Sequence, residues 1–372
     1  MNYYIIAGEL SGDLHASYLI REIRKRDKLA FFRGFGGYGM AREGCHITKH
    51  INELAFMGFI EVIANLKTVL GNIKACKEDI LDFNPDCIIS VDYPGFNLRI
   101  AKFAKRHHIK VFHYISPSVW AWKKGRIKQM KRILYRLYVI LPFEKEFYAK
   151  HNMEVEYFGS PLLDEIRDFR ATNAANAEPE DYWDTPKPVI VLMPGSRTQE
   201  IRRMLPLQLQ LADNYPQYEF VIAGVPTHGK EFYDSFIGIR NVEVRFNQTY
   251  SLLNIAQAAV VTSGTATLET ALFGVPQVVC YKANAISFLI GRFVANVKFI
   301  SLVNLILNRK AVVELLQKDC DYGNLDYEFR KITLDNQYIT KLKGDYDEIK
   351  QLLGNAGASS AIAEDIYKNL NA

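Results

Sequence analysis

Residues 3–13 read YYIIAGELSGD, an apolar run followed by a turn that contains two glycines. The apolar run is typical of a buried parallel strand, and the pattern after the turn predicts a helix from Leu14 to Arg26. Two glycines let a ligand approach the backbone, and a helix N-terminus favours anions. The turn is not the GxGxxG of NAD-binding proteins, and no acidic residue ends a second strand about 20 positions later. A tight turn capped by Ser11 or Asp13 is the alternative interpretation.

The alternation of apolar strand and helical stretch continues along the chain, which predicts parallel sheets built from βα units. The predicted strands are Tyr3–Ala7, Phe31–Gly34, Cys87–Val91, Val111–Ile115, Leu137–Ile140, Val155–Phe158, Val189–Met193, Phe220–Ala223, Val242–Phe246, Ala259–Thr262 and Gln277–Tyr281. A polar, proline-flanked stretch from about Arg170 to Pro188 separates two series of strands. We therefore predict an α/β protein with two Rossmann-like doubly wound domains facing a cleft, residues 1–169 and 187–345. A helical tail, 346–372, would pack back on the first domain or on a partner chain.

The composition bounds the class of protein. The 372 residues are enough for about two domains, and 49% hydrophobic with 23% charged residues is the balance of a packed globular protein. Five cysteines without a CxxC pair argue against a disulfide framework or a zinc ribbon, and favour a reducing compartment. The N-terminus lacks a basic segment, and no apolar run reaches the roughly 18 residues of a membrane span. We therefore expect neither a secreted protein nor an integral membrane protein.

The net charge of +5 is unevenly distributed. No acidic residue lies between Asp92 and Glu144, a stretch of 51 residues that carries twelve Lys or Arg. Such a stretch is typical of a surface near a polyanion, whether nucleic acid, nucleotide or lipid headgroup. A solvated basic face is the alternative interpretation.

Two motifs follow predicted strands in the first half of the chain. SVDYPGFN at residues 90–97 places Asp92 at the carboxyl end of a strand, where parallel sheets bind ligands. Asp92 is a candidate general base, Glu9 is its rival, and a turn-forming Asp before proline is the alternative. YISPSVWAWKK at residues 114–124 suits a sugar face or a membrane interface, or else core tryptophans before a solvated helix.

Two small-residue loops open helices in the second half. PGSR at residues 194–197 offers backbone N–H donors, a helix dipole and the bidentate cation Arg197, which together favour a phosphate. SGTATLE at residues 263–269 repeats the arrangement, and its Glu269 suits a ribose diol. A plain βα turn is the alternative for the first loop, and an ordinary capping-box residue is the alternative for Glu269.

Together these motifs resemble those of the bacterial lipid-A-disaccharide synthases, which are B-type glycosyltransferases with two Rossmann-like domains. The matching motifs are AGELSGD at 7–13, LAFMG at 54–58, YISPSVWAW at 114–122, LPFE at 141–144, PGSR at 194–197, SGTA at 263–266 and VELL at 313–316. They span nearly the whole chain, and the tryptophan motif is highly specific. The chain departs from the family pattern at Gly95, where an acid is usual, and at Leu10, where alanine is common; neither carries a predicted role.

The resemblance implies roles for individual residues of the chain. Asp92 would be catalytic, with Glu9 as the second catalytic candidate. The acceptor side of the cleft would be lined by Glu9 and by Ser11, Gly12, Asn97 and Ser116. The nucleotide-sugar donor would be bound by Gly195, Ser196, Arg197, Ser263, Gly264, Thr265, Glu269 and Asn304.

The resemblance also implies the reaction, an inverting transfer of 2,3-diacylglucosamine from UDP-2,3-diacylglucosamine to 2,3-diacylglucosamine 1-phosphate (lipid X). The products would be lipid A disaccharide 1-phosphate and UDP. The family further implies a cytoplasmic enzyme attached peripherally to the inner membrane, and a homodimer. We expect no cofactor and no metal, since no group of acidic or histidine residues has ligand spacing, and no nucleic-acid partner, since RNA-binding and zinc-finger signatures are absent.

Two other classes of function stay open. A UDP-GlcNAc 2-epimerase or a murein-type glycosyltransferase would share the two-sheet plan and use UDP-N-acetylglucosamine without acyl chains. A basic nucleic-acid binder is the alternative that charge alone allows.

An apolar stretch could supply the contact with an anionic membrane surface. LAFMGFI at residues 54–60 is followed at helical spacing by Val62, Ile63, Leu66, Val69, Leu70 and Ile73, with Lys67 and Lys74 alongside. Such a face, close to the basic stretch, predicts peripheral binding to a bilayer. Burial in the core is the alternative interpretation.

Overall fold

The computed structural model describes residues 1–54, 66–120, 125–175, 186–282 and 298–372. These residues form two compact units, which we call unit 1 (Met1–Asp164 with Asn355–Ala372) and unit 2 (Glu165–Gly354). The domain boundaries expected from the sequence stay predictions. Residues 55–65 of the apolar stretch and residues 121–124 of the tryptophan motif lie outside the described residues.

In the described part of unit 1, seven parallel strands form one sheet in the order β3-β2-β1-β4-β5-β6-β7. The strands are β1 (Asn2–Ala7), β2 (Phe31–Gly36), β3 (His46–His50), β4 (Cys87–Val91), β5 (Lys110–Tyr114), β6 (Arg136–Val139) and β7 (Glu156–Tyr157). The helices are α1 (Leu10–Arg26), α2 (Tyr38–Arg42), α3 (Leu66–Phe83), α4 (Pro94–Arg106), α5 (Gly125–Ile133), α6 (Pro142–Ala149), the start of α7 (Pro161–Ala175) and α15 (Ala358–Asn371).

The sheet of unit 1 is buried on both faces, because successive side chains of a strand point to opposite sides. Tyr3, Ile5 and Ala7 of β1 pack in one core with residues of α1 and α15. Tyr4 and Ile6 pack in a second core with residues of α3 and α4. This two-sided burial explains why β1 is an unbroken apolar run in the sequence.

The last helix, α15, is bound to unit 1 by polar contacts as well as by apolar packing. Its first turn is capped by Asp164, whose carboxylate accepts hydrogen bonds from the backbone N–H of Gly357 and, at 2.9 Å, of Ser359. Farther along, Asp365 accepts a 2.7 Å hydrogen bond from the Tyr138 hydroxyl. The end of the chain therefore completes a face of the first sheet.

In the described part of unit 2, six parallel strands form a second sheet in the order β10-β9-β8-β11-β12-β13. The strands are β8 (Val189–Met193), β9 (Glu219–Gly224), β10 (Val242–Phe246), β11 (Ala256–Thr262), β12 (Gln277–Tyr281) and β13 (Glu314–Leu316). The helices are the rest of α7, α8 (Thr198–Asn214), α9 (Lys230–Ile237), α10 (Thr249–Ile255), α11 (Thr265–Leu272), α12 (Leu302–Leu307), α13 (Tyr322–Leu334) and α14 (Asn336–Leu353).

The predicted fold class, two doubly wound α/β domains with parallel sheets, is confirmed. The sequence did not predict the edge strands β3 and β13. The sequence of β3, HITKH, is polar and half-exposed, since an edge strand covers little core. The helical tail is divided into α14 and α15, which meet at two glycines with positive φ, Gly354 and Gly357.

Two local predictions are corrected by the structure. Helix α1 begins at Leu10 rather than at Leu14, so Ser11 and Asp13 lie inside its first turn and do not cap it. Helix α7 continues to Ala175, into the stretch expected to be a linker.

The apolar stretch after residue 65 divides between the core and the surface. Val69 and Ile73 of α3 are buried in the core, so for these two positions the membrane-facing interpretation is wrong. Leu70 is 52% exposed, and it shares the outer surface of α3 with the exposed Lys67 and Lys74. The face open to a bilayer is therefore narrower than the sequence pattern indicates.

Candidate functional site

Each sheet has one place where the strand order reverses. In unit 1 the chain adds β2 and β3 on one side of β1 and then crosses to place β4 on the other side. In unit 2 the same reversal separates β8 from β11. Ligands of doubly wound sheets bind outside the carboxyl ends of the strands at this switch point. All four loops that follow these strands belong to motifs singled out in the sequence.

The loop after β4 holds Asp92 in an unusual backbone conformation. Asp92 and Tyr93 both have a positive φ, 46° and 48°, in the left-handed region that few residues other than glycine adopt. The Asp92 N–H donates to the Tyr114 carbonyl at 2.8 Å, and Asn97 Nδ2 donates to the Asp92 carbonyl at 2.7 Å. These bonds fix the backbone that carries the Asp92 carboxylate at the end of the strand. Strained backbone of this kind clusters at functional sites.

The loop after β1 approaches Tyr93 closely. A Cβ atom at Gly8 would lie 2.4 Å from the Tyr93 ring, so only glycine fits there. Glu9 follows as the N-cap residue of α1, half-buried, and its side chain makes no capping hydrogen bond. The requirement for Gly8 therefore arises from packing against the Asp92 loop.

The electrostatic environment sets Asp92 apart from an ordinary carboxylate. The pKa of Asp92 is raised from 3.8 to about 6. Burial is the largest cause, and the negative charge of Glu9 is the second. The Tyr93 N–H and the nearby His15 act in the opposite direction and lower the pKa. A carboxylate with a pKa of about 6 is still ionised at neutral pH and is a stronger base than usual.

His15 is a member of this site that the sequence analysis did not find. It lies on the buried face of α1, where its ring packs edge-on against Tyr114 with centroids 6.4 Å apart. It is near enough to Asp92 to influence the pKa of that carboxyl. The available signal was its position three residues after Gly12, which places both on the face of α1 that meets the sheet.

The other acidic residue of the first motif, Asp13, has a structural role. Its buried carboxylate accepts hydrogen bonds from the backbone N–H of Gly37 at 2.6 Å, Gly39 at 2.8 Å and Met40 at 3.1 Å. These are unsatisfied donors at the start of α2. Asp13 therefore caps a helix distant in sequence rather than its own.

The predicted acceptor-side residues differ in how accessible they are. Ser11 is exposed in the first turn of α1. Gly12 is buried, and a Cβ atom at this position would lie 3.5 Å from the Cβ of Ala7. Asn97 is buried, with its amide nitrogen engaged by the carbonyls of Val91 and Asp92. Ser116 is buried too, and its hydroxyl lies 2.5 Å from the Tyr148 hydroxyl. The contacts of these four residues with an acceptor stay predictions.

Glu144 of the LPFE motif is hydrogen-bonded to the first tryptophan of the tryptophan motif. Glu144 is buried and accepts hydrogen bonds from the backbone N–H of Leu141 at 3.0 Å and of Ile140 at 3.2 Å. The Trp120 side chain also donates to this carboxylate. Burial raises the pKa of Glu144 to about 7, although all three hydrogen bonds lower it. Glu144 therefore holds the first tryptophan of the motif against the start of α6.

In unit 2 two backbone N–H groups of the PGSR loop are hydrogen-bonded to a carboxylate of the following helix. The Ser196 and Arg197 N–H groups both donate to Glu200 Oε2 at 3.3 Å, and the Arg197 guanidinium lies 3.5 Å from the same carboxylate. Gly195 has a φ of 106°, and a Cβ there would meet Glu200 at 2.8 Å. The Arg197 side chain is 63% exposed. The two N–H groups that the sequence assigns to a phosphate are thus bound by the Glu200 carboxylate, and phosphate binding by this loop stays a prediction.

The SGTATLE loop lies beside it, after β11. The Ser263 hydroxyl donates to the Ile300 carbonyl at 2.9 Å, whereas Gly264 and Thr265 are exposed at the start of α11. Glu269 accepts a 3.3 Å hydrogen bond from the Tyr250 hydroxyl. The exposed residues Gly264 and Thr265 and the Glu269 carboxylate therefore lie at the start and one turn into the same helix, α11.

Asn304, predicted to contact the donor, is fully buried. Its side-chain oxygen accepts hydrogen bonds from the Ala311 and Val312 N–H groups, and its nitrogen donates to the Val312 carbonyl and to Glu314. Glu314 in turn accepts hydrogen bonds from the Ser301 hydroxyl and N–H at the start of α12. Asn304 therefore holds α12 in place, and a direct contact with a donor stays a prediction.

The described residues contain neither a metal-binding cluster nor a membrane-spanning helix. No group of three or more His, Cys, Asp or Glu side chains there is arranged to hold a metal ion. Within the same ranges, none of the helices has the length and apolarity needed to cross a bilayer.

The chain matches the family model described as lipid-A-disaccharide synthetase over residues 3–364. It is 34% identical to the lipid-A-disaccharide synthase of Geobacter sulfurreducens, with 98% of this chain and 96% of the relative covered. It is 35% identical to the enzyme of the same name from Nitrosococcus oceani, with 97% and 94% covered.

Solved structures show the same fold at lower identity. UDP-GlcNAc 2-epimerase from Neisseria meningitidis, bound to UDP-GlcNAc, matches with a TM-score of 0.74 and 14% identity over 99% of this chain and 100% of that one. The glycotransferase of kitacinnamycin matches with a TM-score of 0.69 and 14% identity, over 99% of each chain. With the family match over nearly its whole length, the chain belongs to the lipid-A-disaccharide synthase family and is a glycosyltransferase of lipid A biosynthesis with the GT-B fold.

Proposed function

We propose that the protein transfers 2,3-diacylglucosamine from UDP-2,3-diacylglucosamine to 2,3-diacylglucosamine 1-phosphate, with inversion at the anomeric carbon and release of UDP. The observation that carries this proposal is the pair Glu9 and Asp92, held at the switch point of the first sheet. Family membership supplies the substrates, and the pair supplies the chemistry.

Asp92 is the proposed general base. The acceptor hydroxyl oxygen attacks the anomeric carbon as the bond to the UDP oxygen breaks, and the hydroxyl proton passes to the Asp92 carboxylate. One displacement of this kind inverts the anomeric carbon and needs a base only on the acceptor side. The pKa of about 6 supports this role, because the carboxylate is ionised at neutral pH and holds a proton more strongly than an exposed Asp.

Glu9 has a second proposed role. Its negative charge raises the Asp92 pKa, and it stands at the start of α1 next to the exposed Ser11. A glucosamine hydroxyl could donate to Glu9 and accept from Ser11, which would orient the acceptor. His15 would then limit how far the Asp92 pKa rises.

Unit 2 is the proposed donor-binding unit. The exposed Arg197 guanidinium and the starts of α8 and α11 suit the diphosphate, and Glu269 suits the two ribose hydroxyls. A diphosphate would compete with Glu200 for the Ser196 and Arg197 N–H groups. We propose that these groups stabilise the departing UDP without a metal. Transfer that is abolished by EDTA and restored by magnesium would contradict this.

A peripheral contact with an anionic membrane is also proposed. Exposed cations lie on the outer surfaces of neighbouring helices, and none of them forms an ion pair with a described residue. They are Arg99, Lys102, Lys105 and Arg106 on α4, and Lys128 and Arg132 on α5. Each contributes about 1 kcal/mol near an anionic bilayer.

Vesicle sedimentation at low salt tests this contact. Wild-type protein should sediment with vesicles that contain anionic lipid, and Lys102→Glu with Arg106→Glu should reduce the bound fraction. A matched control is Lys341→Glu with Lys343→Glu, the same charge change on the exposed surface of α14 in unit 2. No sedimentation of the wild type, or equal losses in both variants, would contradict the contact.

The transfer itself is tested by mass spectrometry of the products. The protein is incubated with acylated UDP-glucosamine and acylated glucosamine 1-phosphate, and a disaccharide 1-phosphate with equimolar UDP is expected. Conversion of UDP-N-acetylglucosamine to its epimer, with no disaccharide formed, would favour the 2-epimerase alternative. The proposed homodimer, implied by the family resemblance, is tested by light scattering of the purified chain.

A further inference from the structure

Unit 2 contains a tyrosine placed between two carboxylates. The Tyr250 hydroxyl lies 3.2 Å from Glu165 Oε2 and 3.3 Å from Glu269 Oε1. Tyr250 is on α10, Glu165 on α7 and Glu269 on α11, so three helices meet at one hydroxyl group. Of the three residues, only Glu269 was singled out in the sequence.

The Tyr250 ring is fixed by aromatic neighbours. Phe169 of α7 meets it edge-on, with ring centroids 5.6 Å apart, and Phe273 lies on another side at 5.2 Å. Phe169 and Phe273 also contact each other at 5.9 Å. A ring enclosed in this way has little rotational freedom, so the position of its hydroxyl is set by packing and not by the carboxylates.

The hydroxyl has one proton for two acceptors. Burial, together with the charges of Glu269 and Glu165, raises the pKa of Tyr250 far above its ordinary value, so the hydroxyl stays protonated. It can donate to only one carboxylate at a time, and a small rotation about the C–O bond transfers the hydrogen bond from one to the other. Glu269 therefore has a neighbour that can fix its orientation and can also release it.

We propose that Tyr250 is a positioning residue for nucleotide binding, whose hydroxyl holds the Glu269 carboxylate in the orientation that receives both hydroxyls of a ribose. This rests on the proposed function, in which Glu269 binds the ribose of the donor. When the two ribose hydroxyls donate to Glu269, the Tyr250 proton turns to Glu165, whose Oε2 lies 3.2 Å from the same hydroxyl. The ligand class is a nucleoside diphosphate with an intact 2′,3′-diol.

The test compares UDP with 2′-deoxy-UDP by calorimetry on the full chain. Tyr250→Phe keeps the ring and its aromatic contacts but removes the hydroxyl. We expect the Kd for UDP to rise about tenfold, as for loss of a hydrogen bond at a charged group. The Kd for 2′-deoxy-UDP should change less than about twofold, because the contact that Tyr250 organises is already weakened in that ligand. In the transfer assay, KM for the donor should rise and kcat should stay within about twofold.

Tyr233→Phe is the matched control. Tyr233 is another buried tyrosine of unit 2, and its hydroxyl accepts a 2.8 Å hydrogen bond from the Val225 N–H with no carboxylate involved. Its substitution also removes one buried hydroxyl, so it costs comparable stability. Both nucleotides should bind this variant with Kd values within about twofold of wild type.

Glu165→Gln supplies a second variant, which keeps the inference testable if Tyr250→Phe does not fold. The amide can donate to the phenol oxygen while the phenol proton goes to Glu269, so the preference for UDP over 2′-deoxy-UDP should persist. Loss of that preference in Glu165→Gln would assign the role to Glu165 and overturn the inference.

The failure of the inference differs from the failure of the proposed function. If Glu269→Gln leaves the Kd for UDP unchanged, the proposed ribose contact is wrong. If Glu269→Gln weakens UDP but Tyr250→Phe does not, or if Tyr250→Phe weakens both nucleotides equally, the contact stands and the role of Tyr250 is overturned.

Discussion

In unit 1 the loops at the switch point hold two acidic side chains near each other, whereas in unit 2 the equivalent loops pair theirs with donors. The charge of Glu9 raises the pKa of Asp92, which itself sits on left-handed backbone. In unit 2, Glu200 accepts the N–H groups of its own loop, and Glu269 accepts a hydrogen bond from the Tyr250 hydroxyl. The arrangement in unit 1 destabilises the folded state, and the arrangement in unit 2 stabilises it.

This difference matches the two tasks proposed for the units. A general base must be more basic than an ordinary carboxylate, and burial beside a like charge achieves this at a cost in stability. A binding site gains from groups that are already held in place, since less ordering is then needed when the ligand arrives. The same topology therefore supports opposite local energetics, and the following experiments test the contrast.

The largest effect is expected for Asp92→Asn, which keeps the shape and removes the basicity. Turnover should fall at least about a hundredfold, and UDP binding should be unchanged because the proposed nucleotide site is in unit 2. Steady-state transfer and calorimetry measure the two quantities. Near-normal turnover in this variant, with a collapse in Glu9→Gln, would assign the general base to Glu9.

The same variant should be more stable than wild type. The pKa of Asp92 in the folded protein, about 6, is above its ordinary 3.8, so the ionised form is disfavoured by folding. The resulting penalty grows as the pH rises from 4 to 6 and is fully present at pH 7. Asp92→Asn should therefore raise the free energy of unfolding at pH 7, by at most about 3 kcal/mol. A loss of stability in urea denaturation would contradict the electrostatic account.

In unit 2, Asn304→Ala should destabilise the fold. Removing the amide leaves the Ala311 and Val312 N–H groups without their buried acceptor and removes one of the donors to Glu314, at a cost of about 2–3 kcal/mol. Asn214→Ala is the control, because that exposed amide bonds only to the carbonyl of Gln210 at the end of α8. If Asn304→Ala weakened donor binding with unchanged stability, the direct donor contact expected from the sequence would be supported instead.

The pH profile of kcat/KM should follow Asp92. Since the carboxylate must be ionised to accept a proton, kcat/KM should decrease below about pH 6, by about tenfold per pH unit. Glu144 is another buried acid of unit 1, and burial raises its pKa to about 7. Glu144→Gln should leave the acidic limb of the kcat/KM profile unchanged. A shift of that limb in this variant would indicate that Glu144, and not Asp92, is the titrating group.

Arg197→Ala should weaken UDP binding by about tenfold, as for loss of one charge-assisted contact. The protein should lose little stability, because the Arg197 side chain is largely exposed and its ion pair with Glu200 is superficial. Arg202→Ala, at an exposed position on the same helix, is the control. Equal losses of affinity in both variants would indicate a general charge effect rather than a phosphate contact.

The smallest effect is expected for Ser116→Ala. The Ser116 hydroxyl is paired with Tyr148 inside unit 1, so its loss should lower the free energy of unfolding by about 1 kcal/mol. Turnover should stay within about twofold. A tenfold rise in KM for the acceptor would instead support the acceptor contact that the sequence predicts for Ser116.

The sequence by itself determined the two sheets and the loops that matter. Buried parallel strands are continuous apolar runs, and their carboxyl ends are marked by glycine and polar residues, so the positions of Glu9, Asp92 and Arg197 could be read from local patterns. The motifs also determined the family, since many short matches along one chain are specific together when each alone is not.

Only the tertiary structure decided what each polar side chain does. Asp13 caps a helix that begins 25 residues later in the chain, and Asn304 bonds to a loop beyond its own helix. The raised pKa of Asp92 likewise depends on burial and on Glu9, which lies in the loop after another strand. Hydrogen bonds and charge interactions act over a few ångströms in space, and residues distant in sequence become neighbours only when the sheets form. A local pattern therefore predicts where a side chain lies in the fold, and the partners that fix its chemistry come from the rest of the chain.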